Sequence, residues 1–526
     1  MTSPVQGRRF SGWSGERDAW VFGLTPGAAL VLGAAVMLVL LPLAGQHFAR
    51  LLLTVPLAAV LAVGVLTRVA GYSALAWTRL AVRHELAGLR HETIFQSTNG
   101  DALMLPNATG ATAPESAAGA GAGVVTDLPG PLGGLAFHAA TADALPVGVA
   151  HNPGARQWTA TARLVHPGLS LGDETSADSG VELWGGFLAQ QGVEDGPWSR
   201  LSVLIRSVPD DGTELAYWTA RNVRPDAPAG PLATVHELLA STATASVRHE
   251  AFLTVAMSER TVRKAVRVAG GPPAAGGAQV LAAELSGLRE HLVGAGFTDV
   301  TWLDAPALAE VIRVGFDPAE QAQLEDLRLS GADPGYDGLP VGVPAVLAGP
   351  VAALSSRGVY CHDSATSVTL QVLPSRRPVT AGVLRPLLRV GRRPGERRSL
   401  TIVYEPLSPS RAEKATSDAI TRKDVAIETP RSKGFRPRRR LVREREEIKI
   451  REDALVSGHA MLRFRILLTV TVPHQTSVEA SVQGAQSDAR NAHLQLRRLW
   501  FAQDSAFYAA ALPLALGLPS MRTNRK

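Results

Sequence analysis

The sequence predicts an α/β (α+β) protein: an N-terminal two-helix transmembrane hairpin followed by cytoplasmic ferredoxin-like β-α-β units. Three observations point there. Two long uncharged apolar stretches lie close together near the N-terminus. Four strand–helix–strand patterns recur through the rest of the chain. No cofactor-binding or catalytic motif interrupts them. With 526 residues, 46% of them hydrophobic, the chain has room for several cores. A net charge of +6 is modest for this length. Cys361 is the only cysteine, which excludes an internal disulfide and a cysteine-based zinc site.

The first apolar stretch is centred on "GAALVLGAAVMLVLLPL", Gly27 to Leu43, and no ionisable residue occurs between Asp18 and His47. After the break "AGQHFAR" comes "LLLTVPLAAVLAVGVLT", Leu51 to Thr67. A bilayer core needs about 20 apolar residues as helix. Two such stretches in succession predict a hairpin over 24–67 rather than a cleaved signal peptide. Arg8, Arg9 and Arg17 precede the pair, and Arg68, Arg79, Arg83 and Arg90 follow it, while the connection holds only Arg50. Basic residues stay on the cytoplasmic side. The expected location is therefore the plasma (inner) membrane, multi-pass, with both termini cytoplasmic and 1–23 as a cytoplasmic tail.

A juxtamembrane helix is expected over 68–95. Its four arginines share one face, and Tyr72 and Trp77 are of the type that anchors at an interface. From 96 to 128 small residues and prolines dominate, which predicts a flexible Ala/Gly/Pro linker. Asn107 begins a glycosylation sequon by pattern alone.

A first α/β domain is expected over 129–345 and a second over 346–526. In the first unit "WTATARL" puts Trp158, Ala160, Ala162 and Leu164 on one strand face, a helix follows near 180–190, and "LSVLIRSV" alternates through Leu201, Val203 and Ile205. The second unit is "AFLTVAM" (251–257), a helix over 276–293 and "DVTWL" (299–303). The third is "SVTLQVL" (367–373), a helix near 380–388 and "SLTIVYE" (399–405). The fourth opens with "MLRFRILLTVTV", with Phe464, Ile466, Leu468, Val470 and Val472 on one face and Arg463 and Arg465 on the other. "TSVE" (476–479) reads as a capping box, Val478, Val482, Ala485 and Ala489 as a helical stripe, and "HLQLRRL" as the closing strand. Two pairs of units make two β-α-β-β-α-β layers. Between the third and fourth units, residues 431–453 carry ten basic and five acidic side chains, the pattern of a solvated, charge-paired helix.

The chemistry is negative. There is no Gly-Lys dipeptide, so no GxxxxGK[ST] phosphate loop, and no HExxH. "GLSLG" (168–172) matches GxSxG around Ser170, but a turn-rich loop follows where a helix is required. "CHD" (361–363) holds thiol-site residue types, but strand neighbours point to opposite faces, and Cys361 reads as a small buried side chain. The sequence thus predicts no catalytic, cofactor-binding or metal-binding residue and no cofactor; for the 431–453 run an exposed helix is the first reading and a contact with a partner or nucleic acid the second.

"REDALVSGHAMLRFRILLTVTV", the capped helix and "LQLRRLWFAQDSAFYAAALPLALGL" together resemble the N-terminal domain of the motor ATPases of conjugative type IV secretion systems. There a similar series leads into the nucleotide-binding motor, whose Walker motifs are missing from this chain. The N-terminal hairpin is similar to the small two-helix membrane subunit of those systems. With "ARLVHPGLSL", "FDPAEQAQ" and "SKGFRP", the whole chain resembles actinobacterial integral membrane proteins that accompany conjugation-type ATPases. The resemblance implies a non-catalytic inner-membrane scaffold in a multi-protein or oligomeric complex, with a separate motor ATPase and membrane lipids as partners. A membrane component of type VII secretion is a second reading. A membrane-tethered hydrolase using Ser170 is a third.

Overall fold

The computed structural model describes residues 9–10, 26–46, 48–98, 123–166, 174–210, 212–224, 226–243, 247–269, 273–331, 342–373, 375, 379–380, 382–390, 393–432, 436 and 439–517. Most of the expected N-terminal tail, residues 99–122 of the expected linker with Asn107, and Ser170 lie outside them.

Helices α1 (Pro26–Ala44) and α2 (Phe48–Leu66) pack against each other, with Leu30, Leu41, Leu52 and Leu53 exposed. Where the sequence predicts two spans, one described helix, α2, is long and apolar enough to cross a membrane; α1 supplies a shorter apolar helix, Ala29–Ala44. After α2 a two-rung hairpin, Arg68–Val69 with Tyr72–Ser73, reverses the chain. Ser73 then caps α3 (Ala74–Leu89), its Oγ accepting from Ala76 N.

The rest is a mixed α+β body around one large antiparallel sheet of 14 strands. In chain order its elements are β1 (Ile94–Gln96), β2 (Val124–Val125), β3 (Ala136–Ala142), β4 (Leu145–Asn152), β5 (Gln157–Val165), α4 (Glu174–Gln190), β6 (Trp198–Pro209), α5 (Thr213–Asn222), α6 (Ala229–Ala243), β7 (Val247–Ser258), α7 (Glu259–Ala269), α8 (Pro273–Ala283), α9 (Leu285–Gly294), β8 (Asp299–Trp302), α10 (Ala305–Phe316) and α11 (Gln321–Ser330). There follow β9 (Ala352–Ser355), β10 (Tyr360–His362), β11 (Ala365–Leu373), β12 (Arg397–Pro406), α12 (Pro409–Ser432), α13 (Arg439–Val456), β13 (Leu462–Pro473), α14 (Val478–Asn491), β14 (Gln495–Arg498) and α15 (Gln503–Ala511).

The strands run β1-β9-β10-β11-β13-β12-β6-β7-β5-β4-β3-β2, with β8 on β5 and β14 on β11. This order contains a repeat. One half has the spatial series β8-β5-β7-β6 and the other β14-β11-β13-β12, so the fourth, first, third and second strands of each half lie side by side, all antiparallel. The halves join through their second strands, β6 and β12, with Val203 opposite Ile402. The sheet also curls. Ser97 Oγ and Thr98 N, just past β1, donate to the Asp127 carboxylate (2.8 and 2.7 Å), which follows β2 at the other end of the strand path. The two ends of the expected 96–128 linker are therefore held together on the body.

Both sheet faces are covered. One face carries α4, α8 and α9 over Trp158, Ala160, Leu201 and Val255, and α14 over Leu370, Leu400 and Leu468. The paired Val203 and Ile402 put these two clusters on the same side. Gly277 lets α8 close onto Trp158, since a Cβ there would lie 2.7 Å from the indole. The other face wraps around α10 and α15, where Leu308, Ile312, Phe316, Phe507, Tyr508 and Leu512 are buried. Asp304 caps α10, its carboxylate accepting from Ala307 N (2.9 Å).

Several expectations change. The strand faces of 158–164 and 466–472 are as predicted, but β13 is buried on both sides: Leu467 and Thr469 face α15, so the side opposite Leu468 is not free. The helix expected near 380–388 is only a 3-10 turn, Arg385–Leu388, because Gly382 sits at φ +78° and Pro386 removes a donor. The helix expected over 276–293 is broken into α8 and α9. At 476–479 the N-cap is Ser477 without a side-chain bond, and Glu479 is drawn to Arg498 instead (2.5 Å). Tyr72 and Trp77, expected at the membrane interface, pack on the body: Tyr72 OH donates to Arg498 O, and Trp77 lies against Trp500 and Phe501.

Candidate functional site

The residue types singled out for chemistry do not converge. Cys361 is half-buried, with Thr366 Oγ1 3.8 Å from its sulfur, which corrects the expectation of a buried thiol. His362 points the other way into the core among Tyr360, Phe316 and Phe507. Its Nδ1–H is donated to Phe316 O, which leaves Nε2 to accept from the Ser367 hydroxyl (2.8 Å). Asp363 sits at the β10–β11 turn. It accepts from Arg313 Nη1 (3.0 Å) and from the amides of Val351 and Ala352, while burial pushes its pKa up to about 6. Arg313, from α10, also bonds Glu320 and Gly349 O. This group ties one half to the other. Among the described residues no cluster of His, Cys, Asp and Glu could hold a metal. One surface hollow is lined by Asp143, Ser286, Arg289, Glu290 and Val293, and another by residues of α5 with Gly212 and Asp326.

Burial also pushes the His362 pKa down to about 4. In the unfolded chain the ring titrates near 6.5, so between those values the unfolded state binds more protons and stability falls with falling pH. The expected loss between pH 6.5 and 4 is about 3 kcal/mol from this residue. A His362→Gln variant should melt lower at pH 7 yet show a shallower decline in Tm towards pH 4. Parallel pH profiles of the two proteins would rule out this assignment.

A seam that sequence reasoning missed lies over the sheet face covered by α15. Thr159, Thr161, Thr254, Thr369, Thr401 and Thr469 are buried there at alternating strand positions. Their side chains and their neighbours' meet the backbone of 503–515. Thr401 Oγ1 donates to Ala510 O (2.6 Å), Thr161 Oγ1 to Pro513 O (2.9 Å), Gln157 Nε2 to Leu514 O (3.0 Å), Arg200 to Ala515 O (2.8 Å), and Arg206 to both Val311 O and Ala511 O. Gln503 closes the other end, accepting from Thr369 N (2.7 Å) and donating to Thr369 O. The "QDSAFYAAALPL" segment is thus a clamp that fastens the two halves. The alternating threonines were its signal in the sequence.

The clearest insertion in the sheet is a helical arm. Pro406 and Leu462 are register partners at the ends of β12 and β13, and between them lie two helices that pack on each other, α12 and α13. The charged run 431–453 falls largely on α13, paired with α12 through Lys423–Glu444 and Arg445–Asp424. Ile427 and Ile448 are buried, but Val425, Val442, Ile450 and Val456 are exposed. A second helical insertion, α5 and α6, occupies the equivalent β6–β7 connection, with Trp218 and Leu238 exposed. Because β6 and β12 are antiparallel, the two insertions leave from opposite ends of the sheet.

The chain matches no protein-family model and no curated protein.

Proposed function

We propose that the protein is a non-catalytic inner-membrane scaffold of a type IV secretion-like or conjugation-like apparatus, which holds a separate motor ATPase against the membrane complex. What supports this reading is the combination of an apolar helix pair joined directly to a body closed on both faces, and a helical arm that carries charge and exposed aliphatic residues. The resemblance of the C-terminal quarter to the N-terminal domain of conjugative ATPases supplies the system and the partner. The reading takes each half, with its 4-1-3-2 strand series, as a ferredoxin-like β-α-β-β-α-β unit, the second with its first helix reduced to a turn.

In this reading both α1 and α2 cross the membrane and both termini are cytoplasmic. Supporting that topology, Arg9–Phe10, ahead of α1, pair with Val379–Thr380 of the body, and α3, after α2, docks on the same body. Both ends of the helix pair then lie on one side. The direct test is capture from detergent-solubilised membranes. An ATPase should co-purify with the tagged full-length protein, and the purified protein alone should not hydrolyse ATP. Turnover that survives repurification and is lost on a point change in this chain would overturn the scaffold reading.

A further inference from the structure

Helix α3 has two opposed faces, and only one of them is covered. On the covered face Trp77 packs against Trp500 and edge-on against Phe501 (centroids 5.8 and 5.0 Å), and His84 packs against Phe501 (5.8 Å). Arg497 stacks over Tyr72 (4.5 Å), just ahead of the helix, and Glu85 pairs with Arg357 (2.8 Å). On the opposite face Leu75, Val82, Leu86 and Leu89 are 39%, 58%, 50% and 79% exposed. At 100° per residue these four fall within a narrow stripe, about half a turn from Trp77 and His84. Arg79, Arg83 and Arg90, all exposed, flank that stripe on one side. Among the described residues Arg79 and Arg83 make no ion pair, and Arg90 reaches only Glu92, at 3.9 Å.

We propose that α3 lies in the plane of the membrane surface, its Leu75–Val82–Leu86–Leu89 stripe at the boundary between headgroups and acyl chains, with Arg79, Arg83 and Arg90 on the phosphates of anionic phospholipid. This rests on the reading that α2 crosses the membrane. Continuity favours lipid as the occupant: only the Arg68–Ser73 hairpin separates the end of α2 from α3, so the stripe begins where the apolar span ends. Charge favours it too, because a leaflet rich in anionic lipid attracts a juxtamembrane arginine row. The helix is then a two-sided coupler. It rests on the bilayer by one face and carries the body by the other, through Trp77, so the body is held in a fixed orientation under the membrane.

The test uses full-length protein carrying Cys361→Ser, with one cysteine introduced by Val82→Cys and, separately, by Val60→Cys in α2. Each is labelled with an environment-sensitive fluorophore and reconstituted into vesicles of phosphatidylcholine with or without phosphatidylglycerol. Brominated acyl chains serve as quenchers. The expected result is deep quenching at position 60 in all vesicles and shallow quenching at 82 that increases with phosphatidylglycerol. The increase should be lost in an Arg79→Gln/Arg83→Gln/Arg90→Gln background. Quenching at 60 with none at 82 would overturn the proposal while leaving the membrane anchor standing. No quenching at 60 would overturn the anchor itself. Cross-linking of position 82 between copies in place of quenching would assign the stripe to self-association and equally overturn the lipid proposal.

Discussion

Removal of residues 503–526 is expected to abolish folding of the body, not to trim it. Phe507, Tyr508, Leu512 and Leu514 are each at most 2% exposed. Full burial of side chains of this size is worth about 1.5–3 kcal/mol apiece. Their sum rivals the about 5–15 kcal/mol by which a domain is stable. The deletion also strips the acceptors from Gln157 Nε2 and Thr401 Oγ1, and each donor left buried without a partner costs about 1–3 kcal/mol. Limited proteolysis of the truncated protein in detergent should show no resistant core. A graded version is Gln503→Ala, which takes the acceptor from Thr369 N and one of the two donors from Thr369 O, the other being Leu499 N, and should lower Tm without unfolding the protein. If the truncated chain melts like the full one, the clamp is peripheral and the two halves hold together through β6 and β12 alone.

Replacing Arg398 with Met should destabilise the second half by about 3–5 kcal/mol, the range for breaking a buried ion pair from one side. Arg398 is fully buried between Glu396 (2.9 Å) and Asp488 (2.8 Å), and it also bonds Leu387 O. Its loss leaves two carboxylates in the core without the guanidinium, Glu396 keeping the Ser481 hydroxyl as a donor. The triple change Arg398→Met/Asp488→Leu/Glu396→Gln removes the stranded charges and should recover most of the loss. Chemical denaturation of the three proteins checks this. A triple variant as unstable as the single one would show that the group matters for packing and not for charge.

How far the sequence spoke for the structure depended on whether one local signal decided each element. Period-two alternation placed β5, β11, β12 and β13, because a strand with one strongly apolar face can pair in only one register without turning that face to water. Alternation could not show that β13 is buried on both sides. That is decided by α15, which packs on it from beyond α14 and β14. The third helix failed on Gly382 and Pro386, which were visible as breakers, while the break between α8 and α9 has no such marker. Helix α7 was missed although Ser258 announces it by capping Thr261. The surface of α3 was half legible: the arginine row was plain, but Trp77 and Tyr72 were read as interface anchors because nothing local links them to Trp500 and Arg498. The arm was legible as a charged helix and not as a hairpin, since its partner α12 carries little apolar periodicity of its own.

The scaffold account turns on the arm, and the register makes it separable from the body. Pro406 faces Leu462 across the ladder, so an Asn-Gly turn in place of residues 407–461 keeps every β12–β13 pair and gives up only the Leu407–Met461 backbone bond and the Ser410 bonds to Glu194 at the base of the arm. The decisive measurement compares ATPase co-purification from solubilised membranes for this arm-less protein and the full chain, at equal membrane content and equal Tm. If the arm holds the ATPase, the arm-less protein stays folded and membrane-bound and captures no ATPase. Undiminished capture by the arm-less protein would contradict it.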